Sequence, residues 1–405
     1  MKIIAKVPPV LLYCLISLST LTETVYSAAL PIIAKQLNTD GSVAQLSTTA
    51  YFIGFALGIF TLGRASDLLG RKPIIIFGIS FYIITTYIIS RSTSIEMFIF
   101  FRFAQAYGAS VGSVIAQAMA RDSYKGWELS YIFASISIIM AFVPTIGSAM
   151  GGYIIEYDNN WQHIFYFLVT LASILLIIYV KYLPETNAYV GSAKNNRFFT
   201  VLKVALKDKT LLTYAYIVGV YNGVCCGFYI QAPFIFIDRL EMSPSSYGKL
   251  FLVLSAATLS GGLISRILIR KFVSTVKVRV AGFILSSIGC ILLLIGSQIN
   301  TDEKTYVILL VFVPMAIHLM GHAMVVPMLL RHALEDYHKV TGAAGSIFGA
   351  LYYLITAAVS FMISTLHSNT INNFAYLYAI SFFISLILFY FSKSYTKNSQ
   401  TALFN

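Results

Sequence analysis

Gly63-Arg-Ala-Ser-Asp67-Leu-Leu-Gly70-Arg71-Lys72-Pro73 is a charged, glycine-bearing turn between two long apolar runs. A connection this short joins two membrane-spanning helices on one side of a bilayer. Its spacing lets Asp67 pair with Arg71 or meet the positive end of a neighbouring helix. The second half of the chain carries an echo, Gly262-Leu-Ile-Ser265-Arg266-Ile-Leu268-Ile-Arg270-Lys271-Phe272. At an offset of 199 residues, Gly63, Ser66, Leu69, Arg71 and Lys72 recur as Gly262, Ser265, Leu268, Arg270 and Lys271. A two-fold internal repeat of membrane helices implies the layout of a secondary transporter.

Outward from that turn, apolar windows of about 20 residues, enough to cross a bilayer as helices, recur along the whole chain. Twelve are read, at about 8–30, 44–63, 73–91, 97–118, 131–153, 162–183, 210–235, 247–268, 278–297, 304–329, 341–365 and 371–392. Of the 405 residues, 58% are apolar and 11% charged, against about 25% charged in an ordinary soluble domain. The composition excludes a water-soluble globule and leaves almost nothing for an extramembrane module.

The net charge of +12 points to membrane orientation, not to nucleic acid. Of 28 Lys and Arg, 22 fall at the termini and in alternate loops, Lys35, Arg91, Arg239, Lys249 and Lys304 fall on the other side, and Arg102 lies at or inside a span. By the positive-inside rule both termini are expected in the cytoplasm, in a multi-pass protein of the cell (inner) membrane. Residues 1–30 resemble a signal peptide only superficially: the apolar run is too long, and cleavage would leave an odd number of helices. Cys14, Cys225, Cys226 and Cys290 all lie in apolar spans and read as packing residues.

One long basic connection, 184–209, divides the chain into bundles of six helices at 1–183 and 210–405. A helix lying on the membrane surface is expected near Phe198–Leu206. The fold class is thus all-α integral membrane, twelve transmembrane helices in two six-helix pseudo-repeats.

At this level the residues resemble the major facilitator superfamily, and more closely its bicyclomycin- and chloramphenicol-resistance type of drug:proton antiporter. The turn matches the superfamily signature in Gly63, Asp67, Gly70, Arg71 and Lys72, with Leu68 where a basic residue is usual. Arg102-Phe-Ala-Gln105-Ala-Tyr-Gly108 and Ala118-Met-Ala-Arg121-Asp122 match the fourth helix. Tyr229-Ile-Gln-Ala-Pro233-Phe234, Tyr247-Gly248-Lys-Leu-Phe251 and Gly342-Ala-Ala-Gly-Ser-Ile-Phe-Gly349 resemble helices seven, eight and eleven. Two positions depart. Ser148 stands where the antiporter motif has proline, and Thr24 where the subfamily has Asp, with Glu23 one residue earlier.

Glu23 is the strongest candidate for proton coupling, because the other fifteen acids fall in loops or at helix ends. An acid inside a span is costly and marks an ion path or a substrate site. The resemblance implies a relay or helix-coupling role for Arg102, on the same face as Gln105 and Gly108; snorkelling to the interface is the plain alternative. Gly63, Asp67, Gly70, Arg71 and Lys72 are expected to form a gate network between the halves on the cytoplasmic side. Gly147, Gly151 and Gly152 are expected to let helix five press against a neighbour, with Pro144 adding a kink. Tyr26, Tyr51, Gln117, Tyr221, Asn222, Gln231 and Tyr352 are candidates for a substrate cavity. His318 and His322 share a helix face, but no third ligand accompanies them, so no metal is expected; they read as a polar helix contact or a second proton-responsive group.

The expectation is an exporter of small amphipathic or cationic compounds, driven by inward protons and working by alternating access. It needs no cofactor, binds no nucleic acid, and acts as a monomer on small molecules and protons within the lipid bilayer. Uptake of a small metabolite by proton symport is the alternative. A membrane enzyme would need acids, histidines or nucleophiles clustered at one bilayer face, and the chain offers none.

Overall fold

A computed structural model describes residues 6–187, 195–271, 273–299, 301, 303–337, 340–368 and 370–395. Part of the expected connection, 188–194, lies outside the described residues. Among those described, twelve helices are long and apolar enough to cross a membrane. They are spans 1 to 12 in chain order: Pro9–Gln36, Gly41–Leu69, Arg71–Ser90, Ile95–Ser123, Gly126–Asp158, Gln162–Tyr182, Lys209–Arg239, Pro244–Arg270, Thr275–Ser297, Lys304–Tyr337, Gly342–Thr365 and Asn372–Phe391. Each helix satisfies its own backbone N–H and C=O groups within the span, as hydrocarbon requires.

The observed spans run past the apolar windows at several ends, because polar turns at the water interface continue the helical hydrogen bonding. Span 2 continues to Leu69 and span 3 begins at Arg71. The chain reverses on Gly70, whose φ of +103° is open only to glycine. A short helix at Asn195–Ala205 occupies the connection where a surface helix was expected. Span 5 runs unbroken through Pro144.

Span 7 ends in a π-helical segment at Phe234–Arg239, span 10 turns before a 3-10 segment at Glu335–Tyr337, and spans 1 and 4 are interrupted nearer their middles. Span 1 is α-helical over Pro9–Thr24, turns through a 3-10 segment at Ser27–Ala29, and resumes at Leu30–Gln36. Span 4 breaks at Ser110, between Ile95–Ala109 and Val111–Ser123. Lipid gives little hydrophobic drive between helices, so packing relies on close backbone approach at small residues. Gly151 is one such place: a methyl group there would overlap the carbonyl oxygen of Val25 in span 1.

The two halves meet along span 2 with span 11 and span 5 with span 8. Their seam is sealed at the face opposite the basic one. There Lys35 pairs with Asp238 at 2.5 Å, and the Glu156 carboxylate accepts from the Ser245 backbone N–H at 2.8 Å. Gln45 of span 2 reaches Gln231 of span 7 at 3.0 Å and His367, beyond span 11, at 2.9 Å. Toward the basic face the seam opens into a cleft of about 200 Å³. Spans 2 and 11 stay close at its edge, where a methyl on Gly63 would lie 2.7 Å from Ser346 Oγ.

Candidate functional site

Glu23 sits one residue before the helical part of span 1 ends at Thr24. It is partly exposed, and among the described residues its carboxyl forms no hydrogen bond or ion pair. Its surroundings come from both halves. On its own side it acts electrostatically with Arg102 and Tyr51. Across the seam it acts with Cys226 and Tyr229 of span 7 and with Tyr352 and Tyr353 of span 11. A charge at Glu23 is therefore felt on both sides of the seam.

Arg102 is buried, 1% exposed, so the snorkelling alternative does not describe it. Its guanidinium lies 4.0 Å from the Tyr26 ring centroid and 4.5 Å from that of Tyr51. It donates to Gln105 Oε1 at 2.5 Å, and Gln105 in turn donates to Thr86 Oγ1 at 2.8 Å. Two ring faces and one amide hold the cation in place of a carboxylate. Among the described residues, its Nε and Nη2 have no partner. Tyr26 is pinned by a hydrogen bond with Thr48, and Tyr51 donates to the Ser19 carbonyl at 3.3 Å.

The two departures from the resistance subfamily lie beside this centre. Gly147 of span 5 faces Thr24 Oγ1. Both Thr24 Oγ1 and Ser148 Oγ are buried and, among the described residues, have no hydrogen-bond partner. Gly147 and Gly151 thus lie close against span 1. Gly152 faces the other way, toward span 8, where an added methyl would lie 2.8 Å from the Pro244 carbonyl carbon. Gly248 of span 8 answers it, 2.7 Å from Ala149 Cα by the same measure.

The seven cavity candidates separate into distinct environments. Gln117 and Tyr352 line the cleft at the basic face, with Gly63, Asp67, Arg71 and Ser346. Tyr352 also reaches Glu23 electrostatically, so it connects the cleft with the acid. Asn222 lies on the face of span 7 that carries Cys226 and Tyr229, and its Oδ1 accepts from His322 Nε2 at 3.1 Å. Tyr26 and Tyr51 do not line the cleft; their rings are taken up by Arg102. Tyr221 belongs to the core of the second half, stacked on His318 with centroids 5.3 Å apart. Gln231 belongs to the seal on the opposite face.

The histidines of span 10 form polar helix contacts. Tyr378 gives its only proton to the Ser286 carbonyl at 3.0 Å, so its oxygen accepts from His318 Nδ1 at 2.6 Å. Among the described residues no group of three or more His, Cys, Asp or Glu is arranged to hold a metal.

The gate motif differs from its expected wiring. Arg71 pairs with Asp67 at 2.6 Å and with Asp122 at 3.2 Å, and donates to Ser66 Oγ at 2.6 Å. The exposed Glu185, just past span 6, accepts from the backbone N–H groups of Arg71 and Lys72 at 3.0 Å each, which caps span 3. Asn187 donates to the carbonyls of Ser66 and Asp67. Asp67, Ser66 and Asp122 belong to the first half and Glu185 and Asn187 to the connection that follows it. The network therefore braces spans 2, 3 and 4 against the end of span 6, and does not bridge the halves. Its echo is not built the same way: Gly262, Arg270 and Lys271 are exposed. Glu185 was missed because one acid after Leu-Pro gives no sequence signal; only the fold brings it to the helix end.

The Major Facilitator Superfamily family model matches residues 12–361. A protein named "Uncharacterized transporter" from Rickettsia bellii is 49% identical over 395 residues, covering 96% of this chain and 98% of its own. The "Bicyclomycin resistance protein homolog" of Haemophilus influenzae is 24% identical over 381 residues, 91% of each chain. Among solved structures, a D-xylose-proton symporter superposes with a TM-score of 0.77 at 12% identity, over 97% of this chain and 98% of its own; that likeness concerns the fold alone. Twelve spans in two halves, the signature turn and the family match agree, and the chain belongs to the Major Facilitator Superfamily of membrane transporters.

Proposed function

We propose that this transporter exports small amphipathic or cationic compounds in exchange for protons. The basic face and both termini lie in the cytoplasm, in the cell's inner membrane. The observation that carries the reading is Glu23, an acid with no hydrogen-bond partner among the described residues, at the seam and within electrostatic reach of both halves. A carboxyl so placed holds either a proton or the cationic end of a solute, and each excludes the other. The tyrosines around it, Tyr229, Tyr352 and Tyr353, supply ring faces suited to an amphipathic cation. The cleft opens toward the basic face, which suits loading from the cytoplasm. The name of the Haemophilus influenzae relative agrees with drug export.

Uptake by proton symport is the second reading, favoured by Ser148 and Thr24 at positions where the resistance subfamily has proline and Asp. Everted membrane vesicles with an imposed pH gradient separate the two. A panel of cationic amphipaths is screened for compounds that dissipate the gradient only when the transporter is present. If none does, and a metabolite instead moves together with protons, the direction proposed here is wrong.

A further inference from the structure

The turn between spans 8 and 9 is the second-half counterpart of the Gly63–Pro73 turn, with one charge reversed. At the offset of 199 residues Arg266 stands in the place of Asp67, while Arg71 and Lys72 recur as Arg270 and Lys271. In the first half Asp67 meets Arg71, four residues on, at 2.6 Å. In the second half the same helical spacing sets Arg266 beside Arg270, and like charges at that spacing repel. Lys277 and Arg279 follow in the first turns of span 9, so five cations fall within residues 266–279. No acid occurs anywhere in 242–301. The negative end of the span 8 helix favours a cation in its last turn, which accounts for Arg270 and not for five.

Among the described residues none of these five side chains forms a hydrogen bond or an ion pair. Arg266, Arg270, Lys271 and Lys277 are exposed, whereas Arg279 is 7% exposed. The Arg279 guanidinium lies 5.9 Å from the Phe389 ring centroid, and its buried Nε and Nη1 have no partner among the described residues. A cation withdrawn from water with no acid beside it leaves a fixed positive potential at this end of the bundle. Span 10, packed against spans 8 and 9, brings Glu335 and Asp336 to the same face. Glu335 lies 3.8 Å from Arg331, and among the described residues no ion pair joins either acid to the turn. The exposed surface between the cations is apolar, with Leu263, Ile267 and Ile269 on span 8 and Val276 on span 9. A water-soluble anion gains nothing from those side chains, whereas a lipid brings phosphate and hydrocarbon together. In the first-half turn Asp67, Asp122 and Glu185 supply the negative charge instead.

We propose that the turn between spans 8 and 9 is a binding site for an anionic phospholipid. Its phosphate sits among Arg266, Arg270, Lys271 and Lys277, and its acyl chains run along Leu263, Ile267 and Val276. The lipid supplies the negative charge that Asp67 supplies in the first half, and it relieves the repulsion between Arg266 and Arg270. Arg279 adds its charge from within the bundle. Each Lys or Arg at a headgroup strengthens attachment about fivefold, so losing two weakens it about 25-fold. The site depends on the basic face meeting headgroups, and not on Glu23 or on the direction of transport.

The test uses the full chain in phosphatidylcholine vesicles, with a tryptophan reporter, Val276→Trp, in a Trp127→Phe background. The remaining tryptophan, Trp161, is 1% exposed and out of reach of lipid. Brominated phosphatidylglycerol or brominated phosphatidylcholine is added in turn, and quenching gives the relative affinity of each lipid for the turn. Trp127 itself, 77% exposed at the start of span 5, serves as the first-half reference in the unaltered chain. The expected result is stronger quenching of the reporter by the anionic lipid, with no such preference at Trp127. Arg270→Gln should weaken that preference about fivefold, and Arg266→Gln with Arg270→Gln about 25-fold. Lys125→Gln removes the same charge from the first half and should leave the preference unchanged. Arg266→Asp rebuilds the Asp–Arg pair of the first half and should abolish it; this variant decides should the double substitution fail to fold. Equal quenching by the two lipids, a preference that survives Arg266→Asp, or an equal loss in Lys125→Gln overturns the proposal. So does displacement of the brominated lipid by millimolar inorganic phosphate, which would mark a site for the free anion.

Discussion

Arg71→Ala tests whether the turn at Gly63–Pro73 is a structural brace of the first half. The substitution removes ion pairs to Asp67 and Asp122 and a hydrogen bond to Ser66. Breaking a fully buried pair costs about 3–5 kcal/mol. Here the Arg71 side chain is 10% exposed, but Asp67 and Asp122 are 34% and 28% exposed and can rehydrate. Taking roughly half of the buried value gives a loss of about 2 kcal/mol. At about 2 °C per kcal/mol for a large domain, the melting temperature should fall by about 4 °C. The loss comes from two carboxylates stranded without a cation, so neutralising one should restore part of it. Thermal unfolding in detergent is measured for Arg71→Ala, Asp122→Asn and the double variant. Asp122→Asn should cost less in the Arg71→Ala background than in the wild type, or become stabilising. Strictly additive losses, or an Arg71→Ala protein that melts like the wild type, would refute this reasoning.

Two further outcomes are expected. Arg102→Lys keeps the charge but loses the flat guanidinium that lies over Tyr26 and Tyr51; thermal unfolding should show a loss of about 2 kcal/mol, and a neutral result would mean the rings do not hold the cation. Gly152→Leu drives a side chain into the Pro244 carbonyl, so spans 5 and 8 cannot close. Alkylation of a cysteine placed at Ser245 should then proceed faster than in the Gly152 protein, and equal rates would show that this contact does not seal the seam.

The fold was legible because hydrocarbon imposes a length and a composition that any apolar window betrays. Spans 6 and 9 begin and end within a few residues of where the sequence puts them, at Gln162–Tyr182 and Thr275–Ser297. Less legible was anything set by a neighbour in space. The internal repeat predicts equivalent turns, yet Arg71 is buried between two aspartates while Arg270 is exposed. The sequence holds Asp122 and Glu185, but no periodicity brings them to Arg71. For the same reason Tyr26 and Tyr51 read as cavity aromatics, when a buried guanidinium with no carboxylate in ion-pair contact among the described residues lies against their rings. The Gln45–His367–Gln231 seal joins residues more than 130 positions apart and leaves no local pattern.

The central claim is that Glu23 exchanges a proton for a solute. Its most direct test is proton release from the purified, weakly buffered transporter when a transported cation is added, followed with a pH indicator. The wild type should release protons on addition of the compound, and Glu23→Gln should release none while remaining folded. Equal release from the two proteins would contradict the account, because the proton would then be leaving from some other group.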